Sequence, residues 1–188
     1  LQINGKPLPE TEAGQAGVSE IMMERFRIMA DIAESFGMKL LVPLVTGWMS
    51  GELHVPSAFN GMNMLTDPLA IKWQTAFVRY FVKTFKDHPA IAVWELGNEC
   101  NCMAQVDNRE QAWLWTNTIS ASIRLEDSSR PVASGMHGIY PGSELIFNGW
   151  KPNNWLIREL GDLCDLITSH PYPHSPSKKP ARVDPVGS

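Results

Sequence analysis

Glu99 closes the run Ala92-Val-Trp-Glu-Leu-Gly-Asn-Glu, directly after Asn98. A carboxylate beside an amide at the mouth of a buried strand can do acid–base work on an acetal. Cleaving a glycosidic bond takes a carboxylic acid that protonates the leaving oxygen, then a base that activates water. One glutamate in a partly dry pocket, its pKa raised, serves both turns. The neighbouring amide can donate to a sugar 2-hydroxyl, a contact that tightens in the transition state. On residue types alone a plainer role is favoured, in which Glu99 caps the following helix or pairs with a surface cation.

Further polar groups recur just past apolar runs: Trp48, His137, and His170 with Tyr172. His170 and Tyr172 share strand parity, so an extended backbone sends both rings to one side; a proline-rich turn with two satisfied rings accounts for them equally well. Trp48 serves either as a sugar-stacking platform or as a plug at the rim of the fold. His137 is a weaker pocket candidate. Glu95 has the parity of Glu99 and points toward the same interior, where it needs an arginine or several donors; it reads as structural. Cys100, Cys102 and Cys164 lack the paired spacing of a structural zinc site and read as ordinary thiols. The prolines between His170 and His174 exclude the helix that would align them on a metal. No metal or cofactor is expected. Ser134-Gly135 is no nucleophile elbow, since G-x-S-x-G is missing.

These residues need a frame. Met22, Phe26, Met29, Ala33 and Phe36 recur at helical spacing, with Gly37 as a stop. Lys39–Val45 is a short apolar run that reads as a buried strand. Residues 49–66 read as a long loop. Asp67-Pro68 is an N-cap with proline at the first helical position, and Ile71, Val78, Phe81, Val82 and Phe85 carry that helix's stripe to His88-Pro89. Ala90–Leu96 is a second strand. Ala112, Trp115, Ile119 and Ile123 face inward from a helix at 109–124. Pro131–Met136 is a third strand, a short helix is expected at Asn154–Leu160, and Asp165–Ser169 is a fourth strand.

Alternating strands and helices predict a parallel sheet, and strands apolar throughout predict cover on both faces. A doubly wound sheet would place its site at one switch point, with a glycine-rich phosphate turn. Neither G-x-G-x-x-G nor G-x-x-x-x-G-K-[ST] is present. Polar residues past several strand ends instead point to a (β/α)8 barrel. Such a barrel takes about 250 residues, so four strands amount to roughly its middle half. The domain reading is one catalytic barrel piece over 1–188: loop at 1–17, core at 18–174, loop at 175–188. Two open edges make its stability alone questionable.

Composition narrows the partners. The 188 residues are 44% apolar and 19% charged, ample for a core, with seven tryptophans for that core or for stacking on sugar rings. A net charge of −4 argues against a nucleic-acid surface. No apolar run is long enough to span a membrane. Compartment, secreted or cytoplasmic, and oligomeric state stay open.

The string Ala92-Val-Trp-Glu-Leu-Gly-Asn-Glu99 resembles the fourth-strand motif of clan A glycoside hydrolases, in particular the mannanase- and cellulase-like members of family 5. Phe81-Val-Lys-Thr-Phe-Lys-Asp-His-Pro-Ala90 matches the approach to that strand. Leu40-Leu-Val-Pro-Leu-Val-Thr-Gly-Trp48 is similar to the third strand, with Thr46-Gly47 where mannanase-like members carry asparagine. Asp165-Leu-Ile-Thr-Ser-His-Pro-Tyr-Pro173 resembles the sixth. The resemblance implies an α/β fold: a partial TIM barrel with strands equivalent to the third through sixth. It implies a retaining hydrolase of a β-linked oligo- or polysaccharide, β-mannan or β-glucan. Glu99 is then the acid/base and Asn98 the 2-hydroxyl partner, with His170, Tyr172, Trp48 and His137 lining the site. The nucleophile is a glutamate of a seventh strand, which this stretch does not contain. Asp165 starts its strand, and Asp184 has no strand pattern around it. The piece alone is therefore expected to be inactive or nearly so. A non-catalytic carbohydrate-binding or scaffold protein on a degenerate barrel is the alternative; an aldolase-like barrel is disfavoured, because no lysine ends a strand.

Overall fold

The computed structural model describes residues 2–3, 6–139, 144–148, 151–170, 173–174 and 182–183. Its frame is a parallel sheet with helices packed on one side. In chain order the frame runs α1 (Glu20–Ser35), β1 (Leu40–Val45), α2 (Pro68–Phe85), β2 (Ile91–Gly97), α3 (Arg109–Glu126), β3 (Val132–Ala133) and α4 (Ile157–Leu163). The sheet order is β1-β2-β3, and a single parallel bridge from Ala133 to Leu166 adds the fourth strand position. This is a partial (β/α)8 barrel, as the alternation of elements predicts.

Local chemistry sets the helix ends. Ser19 accepts from Met22 N–H at the start of α1, and Met38 N–H and Gly37 N–H return to Ala33 and Glu34 at its end, a Schellman closure. Asp67 caps α2 by accepting from Leu69 and Ala70 N–H at 2.8 and 3.3 Å, with Pro68 in the first turn.

The core lies between the sheet and α2 and α3. Trp94, Trp115 and Trp155 are buried, and each indole N–H has a partner: Asp127, Gln74 and Thr116 respectively. These three tryptophans therefore serve the core. Ala112, Trp115, Ile119 and Ile123 face inward as expected, and so do Val78, Phe81, Val82 and Phe85.

Several expectations change. Only Phe26 and Ala33 of the α1 stripe turn inward, Phe26 against Phe81 and Phe85; Met22, Met29 and Phe36 are exposed. A helical period finds an apolar face but not which element covers it. Cover on both sheet faces also fails at β1. Val42 and Leu44 are buried against the helices, whereas Leu41 and Pro43, on the opposite face, are exposed. In a closed barrel that inner face meets the strands across the axis.

The third strand is regular only over Val132–Ala133. After it, the chain forms an antiparallel meander of Gly138–Ile139, Leu145–Asn148 and Lys151–Leu156. This replaces the first half of the helix expected at Asn154–Leu160, and the helix starts at Ile157 instead. Trp155 in the last strand reaches Thr116 of α3 with its indole N–H, a tertiary contact that local propensity does not carry. Residues 49–66 also hold more than loop: Trp48–Met49 pairs antiparallel with Glu52–Leu53, and Ser57–Phe59 makes a 3-10 turn. The stretch 1–17 contains the strand pair Gln2–Ile3 with Lys6–Pro7 and a helical turn, Glu12–Gln15. Pro173–His174 likewise pairs with Arg182–Val183.

Candidate active site

The site forms at the carboxyl ends of the strands. β2 ends at Gly97, which packs so closely on β1 that a Cβ there would lie 2.0 Å from the Val45 carbonyl oxygen. Asn98 and Glu99 follow. Glu99 adopts the left-handed conformation, φ 52° and ψ 48°. For a residue with a side chain this costs of order 1–3 kcal/mol and persists only where neighbours enforce it. Here Cys100 N–H donates to the Gly135 carbonyl at 3.0 Å, and Cys102 N–H donates to the Glu99 carbonyl at 2.8 Å. The turn points the carboxyl group inward, where it is buried, and His170 Nδ1 lies 3.0 Å from Glu99 Oε1.

The remaining candidates attach to this pair. Asn98 Nδ2 donates to the Trp48 carbonyl at 2.7 Å, which joins the acid-bearing strand to the Trp48–Met49 hairpin. Both residues are half-buried. His170 N–H donates to the His137 carbonyl at 2.8 Å, and His137 N–H donates to Asn101 Oδ1 at 2.9 Å. Trp48, Asn98, Glu99, His170 and His137 thus form one continuous run of contacts. Tyr172 lies outside the described residues.

Three features escape sequence reading. Asn101 is buried and anchors His137. Gly47 packs against Met103: a Cβ would lie 2.6 Å from Met103 Sδ. Thr168 bonds to both Gly135 and Glu95. Only Thr168 had a sequence signal, since it precedes His170 by two residues and shares its parity. Glu95 does point inward, but a threonine hydroxyl meets it rather than an arginine. Burial raises its pKa, opposed by that hydroxyl and by His170.

Asp165 stands at the other end of the barrel. It accepts from Val132 N–H at 2.8 Å and from Arg124 at 2.9 Å, and these contacts lower its pKa, the Val132 bond foremost. Asp184 is outside the described residues. Cys100, Cys102 and Cys164 are all buried. Among the described residues, one group of potential metal ligands exists, Asp31, Glu34 and His88, away from this site. No helix among them is long and apolar enough to cross a membrane.

Comparisons with known proteins bear on this geometry. Mannan endo-1,4-beta-mannosidase F of Aspergillus fumigatus is 30% identical over 202 residues, which cover 88% of this chain and 44% of that protein. Mannan endo-1,4-beta-mannosidase A of Podospora anserina is 28% identical over 157 residues, 80% of this chain and 42% of its own length. Among solved structures, a GH5_18 protein of Streptomyces cattleya in complex with Manβ1-4GlcNAc matches with a TM-score of 0.69 and 16% identity, over 82% of this chain and 38% of that one. The endo-1,4-beta-mannanase of Rhizomucor miehei matches with a TM-score of 0.63 and 20% identity, over 80% and 48%. No family model matches the chain. The chain spans less than half the length of the curated relatives it matches.

Proposed function

This chain belongs to the mannanase-like family 5 of clan A glycoside hydrolases, and we propose that it carries the acid/base side of a retaining active site for β-linked saccharides. The observation that carries the reading is Glu99: a buried carboxyl group at the carboxyl rim of the barrel, 3.0 Å from an imidazole and next to an amide.

In the first step Glu99, as the carboxylic acid, gives its proton to the glycosidic oxygen while the nucleophile attacks the anomeric carbon. In the second step Glu99, now the carboxylate, takes a proton from water, which displaces the enzyme from the sugar. His170 orients the carboxyl group. Asn98 meets the 2-hydroxyl, and Trp48 offers a ring face to a neighbouring sugar. The names of the relatives favour a mannan-type polymer or oligosaccharide as substrate.

A retaining mechanism needs a second carboxylate about 5–5.5 Å from the first. Asp165 is held at the opposite end by Arg124 and Val132, and Glu95 sits below the rim on Thr168. The nucleophile is therefore assigned to a strand other than those described.

The test is Glu99→Gln in the intact protein. Turnover should fall by about 10²–10⁴-fold on mannan-type substrates with poor leaving groups, the usual span for a general acid. Aryl glycosides with good leaving groups should be largely spared in the first step. Azide should restore turnover of the activated substrate and give a β-configured azide. Equal losses on both substrate classes would overturn the assignment.

A further inference from the structure

Glu95 is a buried carboxyl group for which the reaction above has no use. Its neighbour Trp94 turns to the helices, where it meets Phe81 edge-on and donates to Asp127. Glu95 therefore faces the inner side of the sheet. Thr168 Oγ1 donates to Glu95 Oε1 at 3.0 Å and accepts from Gly135 N–H at 2.8 Å. A hydroxyl has one proton to give. That proton is committed to Glu95, so the two bonds fix the threonine between β2 and the residues after β3.

This contact matters because the fourth strand position is weakly paired. Past its one bridge at Leu166, side chains do much of the joining: Thr168 N–H donates to Ser134 Oγ at 3.0 Å and Gly135 N–H donates to Thr168, with one further main-chain bond, from His170 N–H to the His137 carbonyl at 2.8 Å. Two residues further on, His170 meets Glu99. Two carboxyl groups at the end of one strand thus hold alternate residues of the next segment but one, Glu95 on Thr168 and Glu99 on His170.

We propose that Glu95 is a positioning residue, which through Thr168 fixes the segment bearing His170 and so sets the imidazole against Glu99. The inference rests on the reading of Glu99 as the acid/base. Besides Thr168, His170 and the Cys100 thiol sense Glu95 among the described residues. Loss of either end of the Glu95–Thr168 contact lets the His170 segment shift, and a displacement of about 1 Å at a reacting group costs on the order of 10²-fold in rate.

The experiment compares Glu95→Ala, Glu95→Gln, Thr168→Val and Thr168→Ser in the intact protein. Glu95→Ala and Thr168→Val should lower kcat by about 10–100-fold on a substrate with a poor leaving group, with KM within about threefold. The loss on an aryl glycoside with a good leaving group should be several times smaller. Glu95→Gln keeps an acceptor for the hydroxyl and Thr168→Ser keeps the hydroxyl, so both should recover most of the rate. With 15N-labelled histidine, the ring signals of His170 should move in the two disruptive variants and return toward their original positions in the two conservative ones. A lowered Tm with unchanged leaving-group dependence and unmoved His170 signals would overturn the inference and leave a packing role. Glu99→Gln is run alongside: if it shows no leaving-group selectivity, the acid/base reading itself has failed. If it does and the Glu95 and Thr168 variants do not, only the positioning role has failed.

Discussion

The side-chain amide of Asn98 donates to the main-chain carbonyl of Trp48 at 2.7 Å, so the strand that leads to Glu99 also holds the tryptophan hairpin. That bond spends one of the two amide hydrogens. On the proposed reading, the other N–H and Oδ1 serve the sugar. With Asn98 on the sugar 2-hydroxyl, Asn98→Ala should lower kcat by about 10²–10³-fold on a substrate that has this hydroxyl, the range seen for contacts that strengthen in the transition state. On the 2-deoxy analogue the loss should be far smaller. Steady-state rates for both proteins on both substrates form a complete cycle. Equal losses would mean that Asn98 serves only to hold the hairpin.

A second prediction concerns the far end of the barrel. Asp127, just past α3, accepts from Trp94 Nε1 at 2.8 Å, from Ser129 through N–H and Oγ, and from Arg130 at 2.9 Å. Burial by itself would raise its pKa. The hydrogen bonds from Ser129, Trp94 and Arg130 outweigh that effect and hold the carboxyl group well below the usual carboxylate range. A depressed folded-state pKa stabilises above the unfolded value of about 4 and loses that contribution as pH falls below it. Thermal unfolding between pH 7 and pH 2 should therefore show a steep acid limb. Asp127→Asn should flatten that limb and cost about 3–5 kcal/mol near pH 7, because Arg130 is left facing an amide. An unchanged acid limb in the variant would assign acid sensitivity elsewhere.

The sequence makes this frame legible where the signal is local. The cap at Asp67, the stripes of α2 and α3, and two of the strands follow from residue spacing, and Glu99 at a strand end from its motif. The meander over 138–156 does not. Its strands are held by the burial of Trp155 and by pairing with residues that have no pattern of their own. The exposed side of α1 is illegible for a related reason, since Met22, Met29 and Phe36 keep the helical period but no described element buries them. Within the site, the sequence offered Asn98 and Glu99 as one pair and His170 apart from it. Their contact depends on the left-handed turn at Glu99, which no residue type at position 99 announces.

The thiols permit a test that needs no substrate. Cys100, Cys102 and Cys164 are buried, and burial pushes Cys102 and Cys164 up to about 12 and Cys100 well above its ordinary range. At pH 8 a thiol with such a pKa is ionised to roughly one part in 10⁴, and the thiolate is the reactive form. Iodoacetamide should therefore modify the native protein more than about 10²-fold slower than the protein in denaturant. Mass spectrometry resolves the three sites. Rapid native labelling of Cys100 or Cys102 would mean that the turn after Glu99 opens readily, which the buried acid does not permit.

The closest backbone approach in the site is at Gly135, and it sets the last expectation. Its φ of +66° is already strained for any residue with a side chain, and a Cβ there would lie 1.9 Å from the Gly97 carbonyl oxygen and 3.1 Å from Glu95 Cγ. The first contact is backbone, so Gly135→Ala must push the rim of β2 away from β3. The same residue donates to Thr168 and accepts from Cys100, so the shift loosens both the His170 segment and the turn that aims Glu99. Denaturant unfolding should show a loss of about 3 kcal/mol or more, the upper range for a single substitution at a special backbone position. The folded fraction should also lose activity, by more on poor leaving groups than on good ones. A Gly135→Ala protein of normal stability would mean that the two strands do not approach this closely, and the account of how Glu99 is held would have to be redrawn.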